Sequence, residues 1–348
     1  MENLKNYFRL VAEGKCRDAA SFCLCPLLSV VSFVYGVGVR GLRWAHEKKY
    51  LKRFKLPFPV ISVGNLTWGG TGKTPLVEFL ARKISAFRKT PLILTRGYNH
   101  DEVEEFRHHM PTVVVGVGRD RVKTALGIVK EKRVDVAILD DGLQQVAVER
   151  DVEIIVVNSL NPFGNQHLIP RGILREPMSV LKRATVVVLT HVNLVPPEQL
   201  KSLREQVQSL SPRAHFVEAY MEPLFLYRAK NRSRVSLEKM RHKKVATFAA
   251  VGTPRSFQLV LQHASIKTAR NFEFLDHHEY KESELKEIKE ISRSADVDEI
   301  ITTEKDFYRS RDLITQVLNP LVLAARLRIR SGEEILTDRL LRLLGIKR

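Results

Sequence analysis

PVISVGNLTWGGTGKTPLVEFL, residues Pro59–Leu80, decides how the rest of the chain is read. Val60-Ile61-Ser62-Val63 is a short apolar run of the kind that forms a buried strand. A glycine-rich turn comes next, and from Thr74 onward Leu76, Val77, Phe79 and Leu80 recur at helical spacing. Strand, glycine loop and helix, in that order, is the context a phosphate-binding loop requires. Gly69, Gly70 and Gly72 let successive backbone N–H groups turn toward a phosphate, and the helix N-terminus behind them adds partial positive charge. Thr67, Trp68, Gly69, Gly70, Thr71, Gly72, Lys73 and Thr74 therefore form the candidate ATP loop. Lys73 would reach the β- and γ-phosphates, and the Thr74 hydroxyl would hold Mg²⁺. Thr67 stands where the usual pattern begins with glycine, and Gly69-Gly70 restore the flexibility. The bland alternative is a glycine turn that binds nothing.

A chain of 348 residues is long enough for two domains, each with its own core. The formal charge of +18 calls for a polyanionic partner: nucleic acid, an anionic membrane or a phosphorylated substrate. Zinc-finger spacing, aromatic RNA-binding signatures and a helix-turn-helix pattern are all missing, so nucleic acid is not the expected partner. Cys16, Cys23 and Cys25 all fall in the first 25 residues, and Cys23-Leu24-Cys25 lacks metal-ligand spacing. They read as apolar filler, and the body has no disulfide framework.

Residues 1–58 differ in character from the rest of the chain. Ala19–Val39 contains 21 residues without a charge, just enough to cross a bilayer core, although Pro26, Gly36, Gly38 and three serines weaken it. Eleven Lys/Arg stand against four Asp/Glu over 1–58, most of them downstream of the apolar run (Arg40, Arg43, Lys48, Lys49, Lys52, Arg53, Lys55). That bias keeps the downstream body on the cytoplasmic side. The expectation is a membrane-associated segment helped by anionic head groups. A soluble helical hairpin and an organellar targeting peptide are the alternatives.

Beyond the loop, strand-like runs at 91–95, 112–117, 134–139, 153–157, 185–190 and 215–219 alternate with helical spacing at 121–132 and 197–210. This predicts helices on both faces of a mostly parallel sheet. A basic, irregular stretch at 228–244 precedes a second series: strands at 245–251, 271–275, 299–303 and 321–325, with helices from 256 and at 282–294. The expected fold is α/β with two α/β/α sandwich domains, the first a parallel sheet like that of P-loop NTPases. The expected limits are 1–58 for the membrane-associated segment, 59–227 for the P-loop domain and 228–348 for a C-terminal domain closing a cleft.

Asp140-Asp141 closes the apolar run Val136–Leu139, and downstream of a phosphate loop this is the pattern that brings carboxylates to Mg²⁺. Strand carboxyl ends face the ligand crevice in open α/β sheets, so both acids should sit near Lys73. Asp101-Glu102 lies in an expected loop after the strand 91–95, where a carboxylate can take a proton from an attacking hydroxyl. Asn165–Pro177 offers Arg171 and Arg175 to phosphate and Glu176 to a metal. Asp276-His277-His278 suits metal binding, proton transfer or a helix cap, and adjacent residues point apart, so one histidine at most should act. Thr302–Asp306 ends a strand and is a further candidate rim.

In order, VGNLTWGGTGKTP, LTRGY, LDDGLQ, RDVEIIVVN, NPFGNQHLIPRGILREP, DHHEY and TTEKD resemble the tetraacyldisaccharide 4′-kinase family of lipid A biosynthesis, from about Leu56 to the last strand. The resemblance implies transfer of the ATP γ-phosphate to the 4′-hydroxyl of a tetraacyldisaccharide 1-phosphate at a membrane surface, with Mg²⁺ and two domains around a cleft. It implies Lys73 on phosphate, Thr74 on Mg²⁺ and Asp140 and Asp141 as the metal-organising pair, and Arg175-Glu176 match the Arg-Glu of the family pattern. Asp101 resembles the catalytic carboxylate, paired with His277 or His278. Gln145, Gln166 and Arg171 depart from the family pattern, and Asn99-His100 abbreviates a longer hairpin. The short connection and N-terminal extension look more like plant members, which implies a mitochondrial location in a plant and the inner membrane's cytoplasmic face in a bacterium. The expected assembly is a monomer. Two other readings compete: a P-loop kinase or NTPase with a soluble substrate, and a nucleotide-binding switch without phosphoryl transfer.

Overall fold

The structure, a computed structural model, describes residues 7, 10–14, 18–97 and 100–346, the side chains at 19, 20, 23, 100 and 101 excepted. The chain divides into two compact units: Met1–Arg96, Val113–Glu218 and Ile329–Arg348 form the first, Gly97–Thr112 and Ala219–Arg328 the second.

In chain order the first unit contains α1 (Ala19–Glu47), β1 (Val60–Asn65), α2 (Lys73–Ala86) and β2 (Pro91–Thr95). The helix α3 (His100–His109) belongs to the second unit. The first resumes with β3 (Val114–Val117), α4 (Arg121–Ile128), β4 (Val136–Asp140), β5 (Val152–Asn158), β6 (Val186–Thr190), α5 (Pro197–Leu210) and the start of β7 (His215–Arg228). Its strands run in the order β7-β6-β5-β1-β4-β2-β3, every pair parallel. β1, β2, β4, β5 and β6 are buried at every position, which is why their sequences are near-continuous apolar runs. The loop strand β1 lies between β4 and β5, with Val63 opposite Asp140, so the acidic end of β4 sits beside the glycine loop.

The second unit continues through β7 and adds β8 (Arg234–Val235), β9 (Val245–Ala249), α6 (Pro254–His263), β10 (Thr268–Glu273) and α7 (Glu282–Ser294). It ends with β11 (Glu299–Thr303), α8 (Glu304–Arg309), α9 (Arg311–Val317) and β12 (Leu321–Ser331). β10, β9, β11 and β12 are parallel neighbours, and β8 forms an antiparallel hairpin on β7. Its core gathers Tyr227, Phe248, Tyr280, Leu285, Ile288, Phe307 and Val322. The last helix, α10 (Glu333–Leu343), returns to the first unit.

The division differs from the expected limits in three places. β7 extends to Arg228 instead of stopping at Ala219, so the crossing falls at 218/219. The segment 97–112, expected as a loop, contains α3, whose Val103 and Phe106 are buried one helical turn apart. α3 lies against α8, where the Tyr308 hydroxyl is 2.9 Å from His108 Nδ1. Residues from Ile329 onward rejoin the first unit.

Helix α1 is built inside out. Leu28, Ser32, Gly36, Arg43 and His46 form its buried stripe, at the three- and four-residue spacing of one helix face. Outward stand Phe22 (83% exposed), Phe33 (69%), Val34 (64%), Val30 (63%), Leu27 (62%) and Trp44 (54%). Ser32 Oγ donates to Leu168 O at 2.7 Å and Tyr35 Oη to Arg175 O at 3.0 Å, so the polar stripe is the one that faces the protein. By length and composition Leu24–Glu47 is long and apolar enough to cross a membrane.

Candidate active site

The glycine loop is closed at both ends. Gly72 adopts φ +84°, a left-handed conformation that side chains resist, and a Cβ there would meet Thr190 Cγ2 at 3.3 Å. Helix α2 starts at the next residue, so its open N–H groups face the loop. Thr190 Oγ1 donates to Thr71 O at 2.8 Å, and Asn158 Nδ2 to Gly70 O at 3.2 Å. These two residues, from the ends of β6 and β5, each hold one of the loop's carbonyls. The Thr71 hydroxyl is buried with no hydrogen-bond partner among the described residues. A buried hydroxyl left unsatisfied is costly, and a phosphate oxygen would satisfy it. Trp68 N donates to Ile173 O at 2.7 Å, tying the loop's start to the segment that carries Arg175. The Trp68 side chain is exposed.

Lys73 Nζ donates to Asn65 Oδ1 at 2.8 Å and lies 3.5 Å from Asp141 Oδ1. Asn65 in turn donates to Thr67 O at 2.7 Å. Arg175 grips Asp141 with two parallel hydrogen bonds, Nη1 to Oδ1 at 3.1 Å and Nη2 to Oδ2 at 2.9 Å. Burial works to raise the Asp141 pKa, but the Lys73 and Arg175 charges and hydrogen bonds outweigh it and hold the carboxyl down at about 2. Asp141 has φ +53°, which turns the chain sharply out of β4. That turn packs onto β1 at Gly64, where a Cβ would meet Leu143 N at 2.6 Å, so VGN and LDDG are two halves of one contact.

Asp140 is buried at the end of β4 and Glu176 is buried beside Arg175. With the Thr74 hydroxyl they offer hard oxygen donors, the ligand type Mg²⁺ takes. Arg43 reaches Glu176 from α1, with Nε 2.9 Å from Oε2 and Nη2 2.7 Å from Oε1. Arg171 lies in the same segment; its carbonyl accepts from Asn165 Nδ2 at 2.9 Å, and its Nε is buried without a hydrogen-bond partner. Sequence reasoning missed Asn65, Asn158, Thr190 and Arg43 at this site. It also missed Arg121, which is 2% exposed; burial lowers its pKa, and the Asp140 charge works against that shift. Asn65, Asn158 and Thr190 share one legible signal: each ends an apolar strand of the parallel sheet.

The remaining candidates belong to the second unit. The Asp101 side chain lies outside the described residues, while its backbone is in the first turn of α3 rather than a loop. Glu102, next in sequence, lies 3.6 Å from Lys305 Nζ, which is 3.7 Å from Asp276 Oδ1 and 3.5 Å from His277 Nε2. His277 Nε2 is 3.6 Å from Asp276 Oδ1. His278 is differently placed: its ring stacks on Phe274 at 4.9 Å, and its Nε2 is 2.8 Å from Glu284 Oε2. Asp306, expected on a rim, is fully buried instead. It accepts from Ala250 N (3.0 Å), Tyr280 Oη (3.0 Å), Thr303 Oγ1 (2.7 Å) and Arg309 Nη1 (2.9 Å), and burial pushes its carboxyl upward against those donors. TTEKD and DHHEY are thus joined through Asp306.

The family model described as tetraacyldisaccharide-1-P 4′-kinase (LpxK) matches residues 24–110 and 101–345. A protein of Arabidopsis thaliana named "Probable tetraacyldisaccharide 4′-kinase, mitochondrial" is 34% identical over 88% of this chain and 87% of its own length. A tetraacyldisaccharide 4′-kinase of Halothermothrix orenii is 31% identical over 91% of each. Among solved structures, the "apo" form of LpxK from Aquifex aeolicus in complex with ATP superposes with a TM-score of 0.69 and 25% identity, covering 92% of this chain and 99% of that one. The chain belongs to the tetraacyldisaccharide 4′-kinase family.

Proposed function

We propose that this protein is an ATP-dependent lipid kinase that transfers the γ-phosphate of ATP to the 4′-hydroxyl of a tetraacyldisaccharide 1-phosphate, collected from a membrane. The observation that carries the reading is the chain Asn65–Lys73–Asp141–Arg175 behind a glycine loop whose Thr71 hydroxyl is buried and unsatisfied. In the free protein Asp141 holds Lys73 and Arg175 close to the loop. Both cations can then move onto phosphate oxygens with little reorganisation, which is where electrostatic catalysis is most effective. Thr74, Asp140 and Glu176 would hold Mg²⁺, which would supply charge neutralisation to the bound triphosphate. Asp101 accepts the proton of the attacking hydroxyl, and His277 is its partner, because His277 shares a cluster with Asp276, Lys305 and Glu102 while His278 is engaged by Glu284.

The outward apolar face of α1 and the cations beyond its C-terminus (Lys48, Lys49, Lys52, Arg53, Lys55) seat the protein on an anionic lipid surface. If the chain comes from a plant, its Arabidopsis relative's name supports a mitochondrial location. The protein acts as a monomer. Incubation with ATP, Mg²⁺ and tetraacyldisaccharide 1-phosphate in detergent should add one phosphate to the lipid by mass. A folded, ATP-binding protein that leaves the lipid mass unchanged rejects the reading.

A further inference from the structure

Arg43 is 7% exposed, on the polar stripe of α1. Its planar fork spans Glu176, Nε to Oε2 at 2.9 Å and Nη2 to Oε1 at 2.7 Å, and Nη2 also donates to Leu143 O at 3.1 Å. One guanidinium thus joins three segments: the apolar helix, the turn after β4 and the segment before Pro177. Those last two are already joined once, because Asp141 and Arg175 hold each other by two hydrogen bonds. Leu143 is two residues beyond Asp141, and Glu176 is next to Arg175. The contacts therefore close a ring: Arg43 to Glu176, through the peptide bond to Arg175, across to Asp141, and through the turn to Leu143 and back.

Stability does not account for this arrangement. Burying an ion pair carries a desolvation penalty that apolar residues of the same volume avoid. Arg43 Nη1 adds to the cost, since it is buried with no hydrogen-bond partner among the described residues. What the fork supplies is geometry, since a planar guanidinium fixes both the distance and the angle of a carboxylate.

We propose that Arg43 is a positioning residue for phosphoryl transfer: from the membrane-facing helix it fixes Glu176 and the Leu143 turn, and so sets the spacing of Asp141 and Arg175 at the phosphate loop. The inference rests on the function proposed above. It also means that the helix meeting the lipid surface is structurally part of the nucleotide site.

The test uses the full-length chain in detergent, with Arg43→Gln, Arg43→Lys and, as control, Ser32→Ala, which removes the α1 hydrogen bond to Leu168 and leaves the ring intact. Two readouts are needed: the Mg²⁺ concentration for half-maximal binding of a fluorescent, non-hydrolysable ATP analogue, and kcat with the lipid KM. Residues that orient ligands at one remove typically change affinity or rate by about ten- to a hundredfold. Arg43→Gln should lower kcat at least about tenfold, leave the lipid KM within about twofold, and raise the Mg²⁺ requirement at least about fivefold. Arg43→Lys, which keeps the charge and loses the fork, should fall between; Ser32→Ala should match the wild type. A folded Arg43→Gln with wild-type Mg²⁺ dependence and kcat overturns the proposal. So does a Ser32→Ala loss equal to that of Arg43→Gln, which would mean that loosening the helix suffices. If Arg43→Gln does not fold, Arg43→Lys decides, and wild-type behaviour in it overturns the proposal. Should the wild type bind the analogue yet leave the lipid unphosphorylated, the functional reading fails while the Mg²⁺ readout still decides the role of Arg43.

Discussion

His277 and His278 are neighbours in sequence with different surroundings. His278 is stacked on Phe274 and held by Glu284, so it supports the loop, whereas His277 shares its cluster with Lys305 and Asp276. His277→Ala should therefore lower kcat by at least about a hundredfold, the scale of acid–base groups, with melting temperature little changed. His278→Ala should mainly lower the melting temperature, and steady-state kinetics with thermal denaturation separate the two. Gln166 carries a second residue-scale consequence. It stands where the family pattern has glycine and adopts φ +63°, a conformation costing a non-glycine residue about 1–2 kcal/mol. Gln166→Gly should stabilise the protein by up to about 1 kcal/mol in urea denaturation, the glycine's extra unfolded-state entropy offsetting part of the relief. His191 supplies a pH signature. Complete burial lowers its pKa to about 4, below the unfolded value near 6.5, so the native state resists protonation. Its stabilising contribution is complete above about pH 6.5 and is lost progressively as pH falls toward 4. His191→Asn, which tolerates the left-handed backbone at this position, should flatten the decline in unfolding free energy between pH 6.5 and 4.

At the scale of elements, α1 shows how a sequence pattern acquires meaning from its partner surface. Its uncharged run is legible from composition, but which face turns outward is not. Phe22, Leu27, Val30, Phe33 and Val34 could equally have been core, and only the contacts of Ser32, Tyr35 and Arg43 show that the polar stripe is the inner one. Phe33→Asp with Val34→Asp should cut binding to anionic vesicles at least about tenfold in a flotation assay, since each buried apolar side chain contributes about 1.5–3 kcal/mol. Turnover on fully detergent-dispersed lipid should change much less. The strands β1, β2, β4, β5 and β6 are legible because parallel strands buried on both faces leave near-continuous apolar runs. α3 is not: HDEVEEFRHH is rich in charge, and its apolar signal is Val103 and Phe106, too few to separate helix from loop. Only the first five residues of β7 are read as a strand from sequence, because Glu222-Pro223 interrupts the run and a proline inside a strand pattern argues against its continuing.

For the whole molecule, the formal charge of +18 acts over distances that single contacts do not reach. Each cation near an anionic surface contributes about 1 kcal/mol, screened beyond about 8 Å at physiological salt. Vesicle binding should therefore weaken steeply between low and physiological salt, and replacing Lys48, Lys49, Lys52, Arg53 and Lys55 by Gln should flatten that dependence. The sequence by itself determined the glycine-rich turn between strand and helix, the acidic strand end, the two α/β series and the family, because each is local: backbone conformation and burial periodicity are written in neighbouring residues. Tertiary structure alone decided that Asp141 bridges Lys73 and Arg175, that Arg43 reaches Glu176 from 133 positions away, and that 97–112 and 329–348 change units. Those contacts depend on how elements distant in the chain pack side by side, and no local pattern encodes that distance.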